Sequence, residues 1–194
     1  MANEFYAFLG RMRYITRWGL MRNTFSENLQ EHSHQVAILA HALALIRREI
    51  LQLPGPDPEQ CAVAALYHDA AEILTGDLPT PIKYYSPELR QAYRTVEDAA
   101  GEKLLSMLPP ALLESYRDYV LEQNEAVYPI VKAADKLAAY IKCLEELKAG
   151  NQEFSTASAQ TLAALEGAQR EEVTWFLENC LEPFTRNLDQ LEKP

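Results

Sequence analysis

The feature that most constrains this chain is an apolar run, residues 61–67, that leads directly into His68 and Asp69. The run has the composition of a buried helical segment. A carboxylate and an imidazole are costly at the end of a buried helix unless something compensates their desolvation. A divalent cation is the simplest compensation, because it neutralises the carboxylate and uses the lone pairs of both groups. The pair therefore predicts a metal site on a buried helix.

Length and composition favour one all-α domain spanning residues 1–194. Nearly half of the 194 residues are hydrophobic (48%), and only 7 are glycine, which favours helices over strands and turns. The net charge of −10 repels phosphate backbones, so we expect no nucleic-acid polymer as a partner. No apolar stretch approaches the ~20 residues of a membrane span. The 3 cysteines form no C-x-x-C pair, and with no signal peptide expected at the N-terminus we predict a cytoplasmic protein.

Apolar periodicity predicts a compact helical bundle without strands. Asn28 and Glu31 have the spacing of a capping box at the start of the second helix. Asp57 is predicted to cap the third helix, and Pro79 and Pro81 should keep the loop after it non-helical. The predicted helices cover about residues 4–14, 29–51, 58–74, 86–107, 110–123 and 126–149, with one or two more between 153 and 180.

Four polar residues fall on otherwise apolar faces of three predicted helices: His32, His68, Asp69 and Asp135. Their imidazoles and carboxylates could converge on one cation. Adjacent helical residues point about 100° apart, so a shared ion must lie between the directions of His68 and Asp69. Nitrogen and oxygen donors without sulfur suit Mn²⁺, Co²⁺, Fe²⁺ or Ni²⁺, and Zn²⁺ less well.

Each of these residues, taken alone, also has a purely structural interpretation. His32 could bond Asn28 or Glu31 near the start of its helix, and Asp135 could pair with Lys132 or Lys136 on the surface. Glu72 alone is most often a solvated helical residue. The complete set favours a metal site over these alternatives.

Further motifs accompany this set over most of the chain. They are Arg17-Trp18, Glu31-His32-Ser33, Tyr67-His68-Asp69, Glu72, Thr75-Gly76-Asp77-Leu78-Pro79-Thr80-Pro81 and the segment 141–147. In this order they resemble the bacterial HD-domain 5′-deoxynucleotidases, within the HD-domain metal-dependent phosphohydrolases. The resemblance extends from residue 8 to about residue 184, with no departure at the motif positions.

The resemblance implies a fold and an activity. The fold is an all-α bundle of the HD-domain type. The activity is hydrolysis of a 2′-deoxynucleoside 5′-monophosphate to deoxynucleoside and phosphate. The resemblance also implies a homodimer, a preference for Co²⁺, Mn²⁺ or Cu²⁺, and His32, His68, Asp69 and Asp135 as the metal ligands. Three of these ligands, His32, Asp69 and Asp135, are also expected to border the substrate.

Chemistry suggests roles for the acidic residues beside the metal. Glu72 follows His68 by four residues and should lie on the same helix face, where it can transfer a proton to or from water or the leaving 5′-oxygen. Asp77 could orient the nucleophile or the leaving group. The sequence does not distinguish between these two roles of Asp77.

Other residues are expected to bind the nucleotide. Arg17 offers parallel donors for the phosphate, and Trp18 could pack against deoxyribose and leave no room for a 2′-hydroxyl. Leu78, Pro79 and Thr80 are expected to contact the substrate, with backbone donors only at Leu78 and Thr80, because proline has no N–H.

Two alternatives remain open at this point. One is an HD phosphohydrolase that acts on a cyclic nucleotide or a nucleoside triphosphate. A triphosphatase would need more cations than Arg17, with Lys83 or Arg22 as further candidates. The other is a non-catalytic helical module stapled by a metal; Glu72 and Asp77 argue against it, since structural metal sites lack nearby acid–base groups.

Overall fold

A computed structural model describes residues 3–83 and 85–191, and these residues form α-helices joined by turns. Their only β-type pairing is an isolated bridge between Thr16 and Asn28. The all-helical prediction is therefore confirmed. The helices are α1 (Phe5–Leu9), α2 (Leu29–Leu45), α3 (Pro58–Tyr67), α4 (Glu72–Thr75), α5 (Thr80–Lys83), α6 (Pro87–Leu105), α7 (Leu113–Val120), α8 (Tyr128–Lys148), α9 (Ser155–Gly167), α10 (Glu171–Asn179) and α11 (Leu188–Leu191).

The start of α2 is fixed by the predicted capping box. The Asn28 side chain accepts hydrogen bonds from the amides of Gln30 and Glu31. The Glu31 carboxylate accepts from the Asn28 amide in return, at 3.2 Å. These bonds satisfy amides that have no partner within the helix, so the first turn, which carries His32, is well anchored.

The prediction that the third helix continues to Leu74 is wrong. Helix α3 ends at Tyr67, and the chain makes a tight turn before α4 begins at Glu72. Within the turn the amide of Ala70 donates to the carbonyl of Tyr67, and that of Glu72 donates to Asp69. These i→i−3 bonds replace the α-helical i→i−4 pattern, so His68 and Asp69 lie in a tighter turn than was predicted.

Three other local predictions are also corrected. The Asp57 side chain makes no capping bond, and only its backbone carbonyl accepts from Cys61. The segment at Pro81 is not held out of helix, because a proline in the first turn of α5 loses no intrahelical hydrogen bond. The first predicted helix breaks at Gly10, which separates α1 from a 3₁₀ turn, Met12–Tyr14.

The main core lies where α2, α3 and α8 pack together. Val36, Leu39, Leu43 and Ile46, which recur at the spacing of one helix face, are all buried. A second apolar cluster joins α1, α6 and α7 around Phe5. Full burial of one large aliphatic side chain contributes about 1.5–3 kcal/mol, so this packing holds the three central helices firmly in register.

Two predictions concern the whole chain: that it has no membrane-spanning helix and that it forms a single domain. None of the helices in residues 3–83 and 85–191 is long and apolar enough to cross a bilayer. A single domain over residues 1–194 stays a prediction, and its two extreme ends fall beyond the described ranges.

Candidate active site

The four predicted metal ligands meet at one place, although they come from separate parts of the chain. His32 lies in the first turn of α2, His68 and Asp69 lie in the turn after α3, and Asp135 lies in α8. His32 Nε2 is 3.1 Å from Asp135 Oδ1 and 3.7 Å from Asp69 Oδ2. His68 Nε2 is 3.0 Å from Asp69 Oδ2. The two imidazoles and two carboxylates therefore surround one small volume.

The spacing of these atoms fits a single ion. One donor atom from each of His32, His68 and Asp135 lies within 4.8 Å of the other two. Atoms that bind one ion at about 2.0–2.2 Å must lie within about 4.4 Å of each other, so a small contraction would complete the site. Both imidazole side chains are fully buried, which shields the position from bulk water.

The tautomer of the neutral His68 ring is set by its backbone partner. Its Nδ1 lies 2.7 Å from the carbonyl of Ala65, and a carbonyl only accepts, so Nδ1 carries the proton. In the neutral ring the lone pair is then on Nε2, which lies 3.0 Å from Asp69 Oδ2. This Nε2 is buried without a hydrogen-bond partner among the described residues. A buried lone pair with no donor is what a metal cation would satisfy, and the Nδ1–H···O=C bond is the usual support of a metal-binding histidine.

The charges of the site also suit a cation. Burial alone would raise the pKa of Asp69, but the neighbouring His68, His32 and Arg17 lower it well below its usual range. Burial likewise opposes ionisation of Asp135, and its contact with His32 outweighs that effect and lowers its pKa. Both carboxylates are therefore negatively charged at neutral pH.

Glu72 differs from these two carboxylates. It begins α4, it is buried, and its Oε2 has no hydrogen-bond partner among the described residues. Burial raises the pKa of Glu72 well above its usual value, and the negative charges of Asp69 and Asp77 raise it further. A buried carboxyl group whose pKa is raised in this way has the properties of a general acid or base.

Asp77 faces the site from the loop after α4. Gly76 places it there with φ 77° and ψ 159°, a backbone conformation available almost only to glycine. Asp77 Oδ1 is 3.9 Å from Arg17 Nη1. From α6, the Tyr93 hydroxyl donates to the Gly76 carbonyl at 3.1 Å, which holds the loop in place.

Arg17 and Trp18 lie on the loop that leads to α2. Arg17 Nη1 is 3.5 Å from Asp69 Oδ2, and the Arg17 side chain is only 12% exposed. Burial alone would lower the pKa of Arg17, but the surrounding carboxylates, Asp69 foremost, raise it. Trp18 has a left-handed backbone, with φ 58°, and its ring centroid is 5.2 Å from that of Phe154. A bulky residue rarely adopts this backbone conformation, which is more common at functional sites.

A buried ion pair anchors the rest of this loop to α8. Lys142 and Glu146 are 2.5 Å apart, and both are almost fully buried. The amide of Thr24 donates to both oxygens of Glu146, and Lys142 donates to the carbonyl of Phe25. The segment 141–147, which the sequence marked only as a motif, therefore positions the loop that carries Arg17 and Trp18.

The remaining predicted substrate contacts are less closely tied to this cluster. Leu78 and Pro79 are half-buried, and Thr80 is exposed at the first position of α5. Over residues 3–83 and 85–191, no hydrogen bond joins these three to the histidines or carboxylates of the site. Their contact with substrate stays a prediction.

Two further charged residues, Arg22 and Lys83, do not extend the cationic part of the site. Arg22 is directed away, with its side chain 95% exposed and paired to Glu153. Lys83 pairs with Glu97 at 2.7 Å. Its positive charge still favours the ionised form of Glu72 and so opposes the rise of the Glu72 pKa.

Lys132 is a neighbour of the site that the sequence suggested only as a surface partner of Asp135. Lys132 pairs with Glu122 at 3.1 Å instead of with Asp135; burial alone would lower the pKa of Lys132, but Glu122, Asp135 and Asp69 raise it. Its place one turn before Asp135 on α8 was the signal available in the sequence.

Comparison with known proteins agrees with this geometry. The family model described as "5′-deoxynucleotidase YfbR-like" matches residues 4–184. A 5′-deoxynucleotidase of Vibrio vulnificus is 47% identical over 192 residues, covering 97% of this chain and 98% of the relative. A 5′-deoxynucleotidase of Erwinia tasmaniensis is 46% identical over 194 residues, with 98% and 97% covered.

Solved structures show the same fold at lower sequence identity. An HD-domain phosphohydrolase from Listeria innocua superimposes with a TM-score of 0.80 at 23% identity, covering 93% of this chain and 88% of that one. The HD phosphohydrolase DatZ of cyanophage S-2L, solved with dA and one catalytic Zn²⁺ ion, gives a TM-score of 0.62 at 22% identity, with 91% and 95% covered. The architecture is therefore that of the HD domain, and the chain belongs to the family of YfbR-like 5′-deoxynucleotidases.

Proposed function

We propose that this protein hydrolyses 2′-deoxynucleoside 5′-monophosphates to deoxynucleoside and phosphate, using a divalent ion held by His32, His68, Asp69 and Asp135. Membership of the family makes the chain a phosphomonoester hydrolase. The observation that best supports the ligand assignment is the buried Nε2 of His68, which has no hydrogen-bond partner among the described residues and lies 3.0 Å from the ionised Asp69 carboxylate.

The acidic residues would handle protons and orientation. A bound divalent ion supplies Lewis-acid chemistry, activating water and neutralising charge on the phosphate. Glu72, whose pKa is raised by burial, would give a proton to the leaving 5′-oxygen or accept one from the attacking water. Asp77, held by Gly76 and next to Arg17, orients whichever of these two oxygens Glu72 does not serve.

Arg17 and Trp18 would bind the two halves of the substrate. The guanidinium offers donors to the phosphate dianion, which otherwise has to approach a protein with a net charge of −10. Trp18 packs against the deoxyribose and excludes a 2′-hydroxyl. Leu78, Pro79 and Thr80 border the substrate from the loop, and His32, Asp69 and Asp135 border it from the metal side.

The ion, the assembly and the compartment are also proposals. Co²⁺, Mn²⁺ or Cu²⁺ are the preferred ions, with Ni²⁺ and Fe²⁺ as further candidates. Zn²⁺ is included because the cyanophage HD phosphohydrolase was solved with one catalytic Zn²⁺ ion. The working form is a homodimer in the cytoplasm.

A monophosphate fits better than a triphosphate. Arg22 is turned to solvent and paired with Glu153, Lys83 is paired with Glu97, and Lys132 is paired with Glu122. Arg17 is thus the cation placed against Asp69 and Asp77. A polyphosphate would need several such donors.

Phosphate release from a panel of deoxy- and ribonucleoside mono-, di- and triphosphates tests the proposal, with Mn²⁺ or Co²⁺ and with a chelator. We expect fast release from deoxynucleoside monophosphates with metal, little from the other substrates, and none with chelator. Equal rates on triphosphates, or rates that are insensitive to the chelator, would contradict it.

A further inference from the structure

Glu27 is a buried carboxylate that none of the roles above explains. It lies directly before the capping box of α2, and its side chain is only 9% exposed. A carboxylate at such a position is costly unless donors compensate the loss of water. The identity of those donors therefore indicates what the residue does.

The donors are the side chains of two consecutive residues, and both use the same oxygen. Arg17 Nε donates to Glu27 Oε2 at 3.1 Å, and Trp18 Nε1 donates to the same Oε2 at 3.1 Å. The backbone reinforces this arrangement, because the amide of Arg17 donates to the carbonyl of Glu27 at 2.9 Å. Indole and guanidinium nitrogens only donate, so an anionic acceptor holds both more firmly than a neutral one.

For Arg17, this contact sets the direction of the rest of the guanidinium. The group is planar, so fixing Nε fixes the plane and the positions of the terminal nitrogens. Nη1 is thereby placed 3.5 Å from Asp69 Oδ2 and 3.9 Å from Asp77 Oδ1. Without Glu27 the guanidinium could turn and pair with these two carboxylates by other nitrogens.

For Trp18, the same contact sets the orientation of the indole ring. The plane of the indole ring makes an angle of 55° with the ring of Phe154. At its Nε1 edge the indole donates a hydrogen bond to Glu27. Ring packing alone would permit the indole to slide on Phe154. The hydrogen bond from Nε1 to Glu27 removes that freedom. The ring face that does not contact Phe154 therefore keeps a fixed orientation relative to the site.

We infer that Glu27 is a positioning residue that couples the two recognition groups: through one oxygen it orients Arg17 for the phosphate and Trp18 for the sugar. The inference rests on the proposed function, because it takes the roles of Arg17 and Trp18 from there. Glu27 acts through Arg17 and Trp18 and does not touch the substrate itself. Its loss impairs phosphate binding and sugar discrimination together.

The test compares Glu27→Gln with Glu153→Gln, which removes the carboxylate paired with Arg22 on the same loop. In Glu27→Gln we expect kcat/KM on a deoxynucleoside monophosphate to fall about tenfold, the order of a weakened charge-assisted hydrogen bond. The ratio of deoxy to ribo rates should fall with it. Glu153→Gln should match the parent in both. A Glu27→Asp variant keeps the charge and should recover part of both losses.

A double-mutant cycle separates positioning from general loss of structure. In a chain that already carries Arg17→Ala and Trp18→Ala, Glu27→Gln should cause no further loss of activity, because Glu27 acts through those two residues. An additive loss would mean that Glu27 acts on the fold or on the substrate directly, and would overturn the inference.

A second readout does not depend on activity. The chain has 2 tryptophans, so its NMR spectrum has two indole N–H signals, which Trp175→Phe would assign. The Trp18 signal should move in Glu27→Gln and stay in place in Glu153→Gln. An inactive parent would refute the proposed function and the inference with it. An active parent whose Trp18 signal and deoxy-to-ribo ratio are unchanged in Glu27→Gln would overturn the inference alone.

Discussion

The Nε2 atom of His32 lies 3.1 Å from Oδ1 of Asp135, although 103 positions separate the two residues in the chain. This contact exists because α2 and α8 pack against each other through buried apolar residues, among them Val36, Ala134 and Ala138. The packing that forms the core thus also brings the polar residues together. The site and the core are consequences of the same arrangement of helices.

Glu72→Gln tests the proton-transfer role. Glutamine has the shape of a protonated glutamate, so the buried position should accept it with little change in stability. Turnover should fall by about 10²–10⁴-fold, the usual contribution of a general acid or base. Measurement of kcat at saturating substrate, together with the metal content, checks this. Glu72→Ala should also keep metal and lose turnover.

A matched control for Glu72 is Glu59→Gln in the first turn of α3, where the carboxylate is exposed. This variant should keep parental turnover. Full turnover by Glu72→Gln would refute the assignment of Glu72 as the proton-transfer group.

Trp18→Ala tests sugar discrimination. Removal of the indole opens space for a 2′-hydroxyl, so rates on ribonucleotides should approach those on deoxynucleotides, with the ratio falling about tenfold or more. Paired rates on deoxy and ribo forms of one nucleotide measure this. Trp18→Phe keeps an aromatic ring against Phe154 and should retain more of the discrimination. A ratio that stays at the parental value in Trp18→Ala would exclude the indole as its source.

Gly76→Ala tests the placement of Asp77. A methyl group at Gly76 meets no atom within 4 Å, so its effect comes only from the backbone, whose φ of 77° disfavours any side chain. We expect a loss of about 1–3 kcal/mol in stability or a shift of the loop, with lower activity in either case. Gly167→Ala in α9 is the control, because it has the same free space without a positive φ. Parental activity in Gly76→Ala would show that Asp77 needs no such backbone.

Much of this arrangement was readable from the sequence, and the exceptions have physical causes. The capping box at Asn28 and the inward face of α2 follow from the spacing of residues within one helix, which does not depend on contacts with the rest of the chain. The break after Tyr67 did not show in the sequence, because an apolar run with no glycine or proline gives no stop signal. The pairing of Arg17 and Trp18 with Glu27 joins residues about ten positions apart through an irregular loop, which periodicity does not describe.

The Lys142–Glu146 pair predicts a specific loss of stability in acid. Burial alone would raise the pKa of Glu146, but hydrogen bonds from Lys142, Thr24 and Asn151 lower it to about 2, against an ordinary value of 4.5. The unfolded chain therefore takes up the proton first as the pH falls. The stabilisation is complete above about pH 5 and is lost between there and about pH 2, and the difference amounts to about 3 kcal/mol.

Urea unfolding between about pH 7 and about pH 3 measures this effect. Glu146→Gln should lower the unfolding free energy at neutral pH by about 3–5 kcal/mol, because Lys142 is left buried without a counter-charge. It should also flatten the fall in acid. Exposed Glu178→Gln, the control, should follow the parent. An acid profile of Glu146→Gln as steep as that of the parent would contradict the assignment.

The central claim is that α2, the turn after α3 and α8 bring four side chains together to hold one catalytic ion. The most direct test is the metal content of the parent, His68→Ala and Asp135→Ala after dialysis against Mn²⁺ or Co²⁺, with the adjacent, exposed Lys136→Ala as control. We predict one ion per chain in the parent and in Lys136→Ala, and a large loss of that ion in the other two variants. Equal metal content in all four proteins would contradict the account.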